Sequence, residues 1–194
     1  MALILASGSP RRRELLHYSA VNIAEVRPSQ IPEERNEGEE PLVYCRRLAL
    51  EKSRAVSEEG YWILAADTIV CLGDAVFEKP ADRADAIWML SSLSGQWHKV
   101  ISAWTLRYCP KIGEESKEIS GYASSDVLLR ELLVEEIEAY VSSGESMDKA
   151  GGYGIQGLGA CLVSEIKGSY SNIVGLPLSQ VLKAIREEGV FDVD

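Results

Sequence analysis

The sequence predicts an α/β protein built on a mixed β-sheet. Three observations point there. Residues 61–72 are almost continuously apolar and rich in β-forming residues, as a central strand covered on both faces should be. Residues 41–59, 82–93 and 133–141 repeat their apolar side chains at helical spacing. Turn signals such as Gly73-Asp74 join neighbouring strand runs directly, which a purely parallel sheet would not contain.

The elements follow in order. Residues 2–6 form a short buried strand, and Ser9-Pro10 opens a helix, because serine is a good N-cap and proline suits the first turn. Residues 21–26 give a second strand, and 28–40 a polar loop. The helix over 41–59 sets Leu42, Cys45, Ala49 and Val56 on one face. After the strand at 61–72, Gly73-Asp74 leads into Val76-Phe77 as a hairpin. The helix over 82–93 stops near Ser94-Gly95. Residues 99–108 and 119–129 are two strands joined by a polar loop, and 133–141 is an amphipathic helix. A glycine-rich loop then precedes a strand at 160–166 and a final helix at 178–188.

The 194 residues fit a single domain, of one body or of two lobes, with no linker in it, and 46% hydrophobic content supplies a full core. The net charge of −10 argues against a nucleic-acid coat, whose affinity depends on neutralising phosphates with Lys and Arg. A small phosphorylated ligand needs only a local cluster of cations. Cys45, Cys71, Cys109 and Cys161 are widely spaced, and His17 and His98 lie far apart, so the pattern predicts reduced thiols rather than a zinc site or a disulfide framework. No run is long enough for a membrane span, and the apolar start is too short for a signal peptide. A cytoplasmic protein is expected.

Four places break their own pattern. Ser7-Gly8-Ser9-Pro10-Arg11-Arg12-Arg13 puts arginines at a helix start, where cations are unfavourable unless an anion joins them. A solvated basic turn would also account for it. Asp67 sits inside the apolar run 64–70, where a carboxylate needs a cation, a metal or backbone amides as compensation. Lys52 occupies the core-facing slot of its helix stripe; a snorkelling lysine explains that position, and so does a lysine entering a cleft. Lys79, beside Pro80, is a weaker signal of the same kind. Finally, Gly152, Gly154 and Gly157 match the spacing of a dinucleotide-binding fingerprint, yet a helix precedes them and a strand follows, the reverse of what that motif requires. The glycines instead allow a tight loop, in which Gln156 is either a surface residue or a reader of a base edge. No Gly-x-Ser-x-Gly nucleophile elbow and no complete Walker motif occur.

Taken in order, these segments resemble the Maf family of nucleotide pyrophosphatases over nearly the whole chain. The markers are Ser7-Gly-Ser-Pro-Arg-Arg12, Arg47-Leu-Ala-x-Glu-Lys52, Ala66-Asp-Thr68, Glu78-Lys-Pro80 and Leu93-Ser-Gly95. Asp148-Lys-Ala-Gly-Gly-Tyr-Gly-Ile-Gln-Gly157, Gly168-Ser-Tyr-Ser-Asn172 and Gly175-Leu-Pro177 continue the series. The resemblance implies a bent mixed sheet with helices around it and a deep cleft between two lobes, as in inosine triphosphate pyrophosphatases, and commonly a homodimer.

It also implies metal-dependent cleavage of a nucleoside triphosphate to a monophosphate and pyrophosphate, with Mg²⁺ or Mn²⁺ as cofactor. Ser7, Arg11, Arg12, Lys52 and Lys79 would line the phosphate site. Asp67 would be general base, metal ligand or both, with Glu33 as the second acidic residue. The glycine loop resembles the branch acting on dTTP and UTP, in which Arg11, Thr68 and Gln156 are associated with substrate choice. Competing expectations are the same reaction on a purine or modified nucleotide, and a non-catalytic nucleotide-binding regulatory protein. An acidic group beside the cations would separate hydrolysis from mere binding.

Overall fold

The computed structural model describes residues 2–19 and 21–190. The apolar run in the middle of the chain forms β3 (Trp62–Leu72), buried at nearly every position. β1 (Leu3–Leu5) lies parallel to it, and β2 (Ile23–Val26) parallel to β1. β4 (Ala75–Phe77) folds back antiparallel on β3 through the turn at Gly73, whose φ of 60° suits glycine. β5 (Trp97–Tyr108), β6 (Lys117–Leu129) and β7 (Val163–Lys167) complete a sheet of order β2-β1-β3-β5-β6-β7, with β4 paired to β3 off this path. β6 and β7 are antiparallel, so the sheet is mixed, as the sequence predicts.

The helices are α1 (Pro10–Tyr18), α2 (Pro41–Arg54), α3 (Arg83–Leu93), α4 (Val134–Ser142), α5 (Tyr170–Val174) and α6 (Leu178–Glu187). Ser9 caps α1 by accepting from the Arg12 amide at 3.4 Å. Asp82 caps α3 at 2.9 Å, while the Asp85 carboxylate accepts from the Ala81 amide. α4 has Leu133 at its N-cap, which offers no side-chain acceptor. The Glu136 carboxylate instead takes the Leu133 amide at 2.9 Å, and Arg130 holds that carboxylate at 2.7 Å.

Three elements differ from expectation. The helix expected over 41–59 ends at Arg54. Arg107, from a distant strand, donates to the carbonyls of Ser53 and Val56 and so takes up the helix end, while Val56 turns inward and is buried beyond it. The strand expected from 160 begins at Val163, preceded by a 3₁₀ turn at Gly157–Cys161. The short α5 falls where no helix is expected, in a segment with too few residues to show a period.

By its contacts the chain divides into two compact units. The first comprises Met1–Asp67, Ser102–Ala123 and Gly175–Asp194, with a core that joins Ile4, Ala6, Val56, Ile63, Ala65 and Cys109. The second comprises Thr68–Ile101 and Ser124–Val174, and packs Val70, Phe77, Leu90, Leu93, Val127, Ile137 and Tyr153 together. Cys45, Cys71 and Cys109 are buried thiols and Cys161 an exposed one. Among the described residues no helix is long and apolar enough to cross a membrane.

Candidate active site

The turn after β1 fixes an arginine and a serine together in the first unit. Ser7 is buried, and its hydroxyl accepts from the Ser9 amide at 3.3 Å and from Arg12 Nη1 at 3.0 Å. Arg12 Nε donates to the Gly175 carbonyl at 2.8 Å. The guanidinium is thus anchored by two fixed oxygens in one orientation. Burial pushes the Arg12 pKa below its ordinary value, and the charges of Asp67 and Glu33 oppose that shift. Arg11 is half-buried and Arg13 exposed. Gly8 is exposed, and a Cβ there would make only ordinary contact with Pro28 at 3.6 Å. Packing therefore does not require glycine at this position.

α2 contributes the central cation. Its inward face buries Tyr44, Cys45, Leu48, Ala49, Lys52 and Ser53, so Lys52 lies on the core side because its spacing puts it there. The side chain is only 9% exposed, and Nζ lies 2.7 Å from Asp67 Oδ1 and 2.9 Å from Glu33 Oε2. Snorkelling would bring the ammonium to water, and here it is buried between two carboxylates. The Asp67 side chain is 7% exposed and that of Glu33 42%. Asp67 is buried because β3 is covered along its length, and Lys52 supplies the charge that makes such burial tolerable. Cys45 Sγ also reaches the Asp67 carbonyl at 3.5 Å.

Glu33 comes from a loop without helix or strand, and α2 holds that loop down. Tyr44, fully buried, donates its hydroxyl to the Glu33 carbonyl at 3.1 Å. Arg47 donates to the Glu34 carbonyl at 2.9 Å and to both Glu39 carboxylate oxygens at 2.7 Å. Its guanidinium also lies 5.4 Å from the centre of the Tyr44 ring. Sequence reasoning assigned no role to Tyr44 or Arg47. The available signal was Arg47, an arginine five residues before Lys52 in a helix with a loop of glutamates ahead of it.

The Arg47 fork holds Glu39 at a pKa of about 2, below the ordinary 4.5. A depressed carboxylate adds stability above the ordinary pKa and loses it as pH falls through the folded one. Between pH 4.5 and about 2, stability should therefore fall as Glu39 protonates. Denaturation midpoints measured across this window should show a shallower slope for Glu39→Gln than for the native protein. Equal slopes would mean that the fork contributes nothing.

Lys79, Thr68 and Gln156 belong to the second unit. Lys79 is exposed and Thr68 half-buried. The glycine loop is tied down at several points. The Gly151 amide donates to the Glu78 carbonyl at 3.0 Å, the Gly154 amide to the Tyr140 hydroxyl at 3.3 Å, and the Leu158 amide to Glu145 Oε1 at 3.2 Å. Gly151 has φ of 70°, and a Cβ there would sit 3.0 Å from Val70. Gln156 is half-buried in extended backbone, and its side chain does not cap the 3₁₀ turn that follows.

Among the described residues no group of three or more His, Cys, Asp and Glu side chains gathers as a metal site. Asp67 and Glu33, drawn to one point by Lys52, are the acidic pair available. Such a pair does not suit a structural zinc, which takes four protein ligands. It does suit Mg²⁺ or Mn²⁺, which use one or two carboxylates and draw further oxygens from substrate phosphates and water.

The chain is 45% identical over 186 residues to a dTTP/UTP pyrophosphatase from Photorhabdus laumondii, covering 94% of this chain and 92% of that one. A protein of the same name from Koribacter versatilis is 44% identical over 194 residues, covering 98% and 96%. Another from Thermosipho africanus is 41% identical, covering 99% and 96%. Among solved structures, a HAM1 protein from Coxiella burnetii is similar at TM-score 0.46 and 14% identity, covering 96% of this chain and 99% of that one, a likeness too slight to argue from. The family model described as Maf-like protein matches residues 2–188, and with these relatives it shows that the chain belongs to the Maf-like protein family.

Proposed function

We propose that this protein hydrolyses nucleoside triphosphates between the α and β phosphates, releasing a nucleoside monophosphate and pyrophosphate, with dTTP and UTP as foremost substrates. The observation that carries this reading is Asp67 and Glu33 meeting on the buried Lys52 ammonium at 2.7 and 2.9 Å. A module that only binds nucleotide needs cations alone. An acid held beside them is what hydrolysis adds. The relatives named dTTP/UTP pyrophosphatase support the choice of reaction and base.

In this mechanism Asp67 orients the attacking water and takes its proton. Lys52 balances the charge of Asp67 and offsets charge developing on the phosphates. Ser7 and Arg12 bind phosphate oxygens through a hydroxyl and a guanidinium already fixed in place, with Arg11 and Lys79 adding neutralising charge. Thr68 and Gln156 bear on the choice of base. Asp67 and Glu33 would hold Mg²⁺ or Mn²⁺. When bound, the cation would supply Lewis-acid polarisation of phosphoryl oxygens and neutralising charge for the pyrophosphate. The protein works in the cytoplasm as a homodimer, in keeping with the family resemblance.

A panel of triphosphates assayed with Mg²⁺, with Mn²⁺ and after exhaustive chelation tests the proposal. dTTP and UTP should be cleaved faster than ATP and GTP, with monophosphate and pyrophosphate in equal amounts and no turnover after chelation. Orthophosphate and a diphosphate as first products would reject the cleavage site. Undiminished hydrolysis after chelation would reject the cofactor. Binding without turnover would make this a regulatory module.

A further inference from the structure

His98 has no role in the reaction proposed above, yet it is among the most deeply buried polar residues of the second unit, at 2% exposure. It stands on β5, and its ring meets Tyr153 edge-to-face, with centroids 5.4 Å apart at 88°. Nδ1 lies 3.2 Å from the Gln96 carbonyl, and Nε2 lies 2.5 Å from the Tyr153 hydroxyl. A carbonyl can only accept, so Nδ1 carries the proton of the neutral ring and Nε2 accepts from Tyr153. Burial favours that neutral form by pushing the His98 pKa below its ordinary value.

Tyr153 is 4% exposed and belongs to the glycine loop, three residues before Gln156. On the far side of Gln156 the loop is held by Glu145, which accepts from the Leu158 amide and is itself gripped through its carbonyl by Lys149. Just past the second anchor the backbone closes back on the start of this segment, since a Cβ at Gly159 would fall 2.1 Å from the Gly154 carbonyl oxygen. Tyr153 packs in the apolar core of its unit, where shape alone could seat a phenyl ring. A hydrogen bond there is directional and fixes which way the ring, and the backbone attached to it, is turned.

We propose that the His98–Tyr153 hydrogen bond sets base selectivity, by positioning the loop segment that presents Gln156 to the nucleotide base. Both are positioning residues that touch no substrate. The proposal rests on the reading of Gln156 as a base-contacting residue, so the test must separate the two.

The experiment measures kcat and KM for UTP and for ATP in the full-length protein and in Tyr153→Phe, His98→Phe, His98→Gln and Gln156→Ala. Tyr153→Phe should raise KM for UTP about tenfold with kcat nearly unchanged, and lower the preference for UTP over ATP by a similar factor, as expected for one lost hydrogen bond. His98→Phe should match it. His98→Gln supplies another acceptor for the tyrosine and should recover part of the preference. Tyr153→Phe keeps its ring in the core and decides the matter if His98→Phe does not fold. An unchanged preference in Gln156→Ala would overturn the base-contacting reading and this proposal with it. Loss of preference in Gln156→Ala but not in Tyr153→Phe would overturn the positioning proposal alone. Equal losses on UTP and ATP that track a falling Tm would also overturn it, because a merely structural bond cannot distinguish two bases.

Discussion

Asp67→Asn is expected to lower turnover by about 10²-fold or more while the protein remains folded. The amide keeps the shape of the side chain and can still accept from Lys52, whose Nζ lies 2.7 Å from Asp67 Oδ1 in the native protein. It cannot take a proton from water, and it holds a divalent cation poorly. Stability should change little, because Lys52 keeps Glu33 as a partner at 2.9 Å. Nucleotide binding should persist better than turnover, since Ser7 and Arg12 hold each other at 3.0 Å without help from Asp67. Steady-state rates, nucleotide binding and Tm measured on one preparation check this. Near-normal turnover would hand the chemistry to Glu33, the other carboxylate on Lys52. An unfolded variant would make Asp67 a structural acid.

Removing Lys52 should cost a similar factor in rate, about 10²-fold, for a different reason. Without the ammonium, the Asp67 and Glu33 carboxylates lose the cation that joins them, and the charge that offsets the phosphates is gone. Breaking a buried ion pair from one side typically costs about 3–5 kcal/mol, although the exposure of Glu33 to solvent softens that here. Lys52→Ala alone would therefore mix lost charge with lost packing. Lys52→Met retains most of the aliphatic stem and should recover Tm towards the native value without recovering turnover. Recovered turnover in Lys52→Met would reduce Lys52 to a structural partner of Asp67.

The elements that run long and regular in the sequence are those found in the fold. β3 was legible because it is apolar at almost every position, and the α1 and α3 starts because Ser9 and Asp82 are caps with local partners. What escaped depends on residues distant in sequence. The end of α2 is set by Arg107, more than fifty positions away, and no local pattern reports it. At the candidate site, Lys52 and Asp67 were visible as charges inside apolar patterns, but their 2.7 Å contact was not. Glu33 lies in a loop crowded with glutamates, and the family resemblance, not a local pattern, is what singles it out in the sequence. Tyr44 and Arg47 hold that loop by gripping the carbonyls of Glu33 and Glu34. The His98–Tyr153 bond was hidden for the same reason, since its partners are 55 positions apart.

The central claim is that water, activated at Asp67, attacks the α phosphorus and expels pyrophosphate. Its most direct test is hydrolysis of UTP in ¹⁸O-labelled water, with both products analysed by mass spectrometry after a single turnover. The new oxygen bonds to the α phosphorus as the bond from that phosphorus to the α–β bridging oxygen breaks, and the bridging oxygen departs with pyrophosphate. One ¹⁸O atom should therefore appear in the monophosphate and none in the pyrophosphate. Label in the pyrophosphate would place the attack at the β phosphorus and contradict the account.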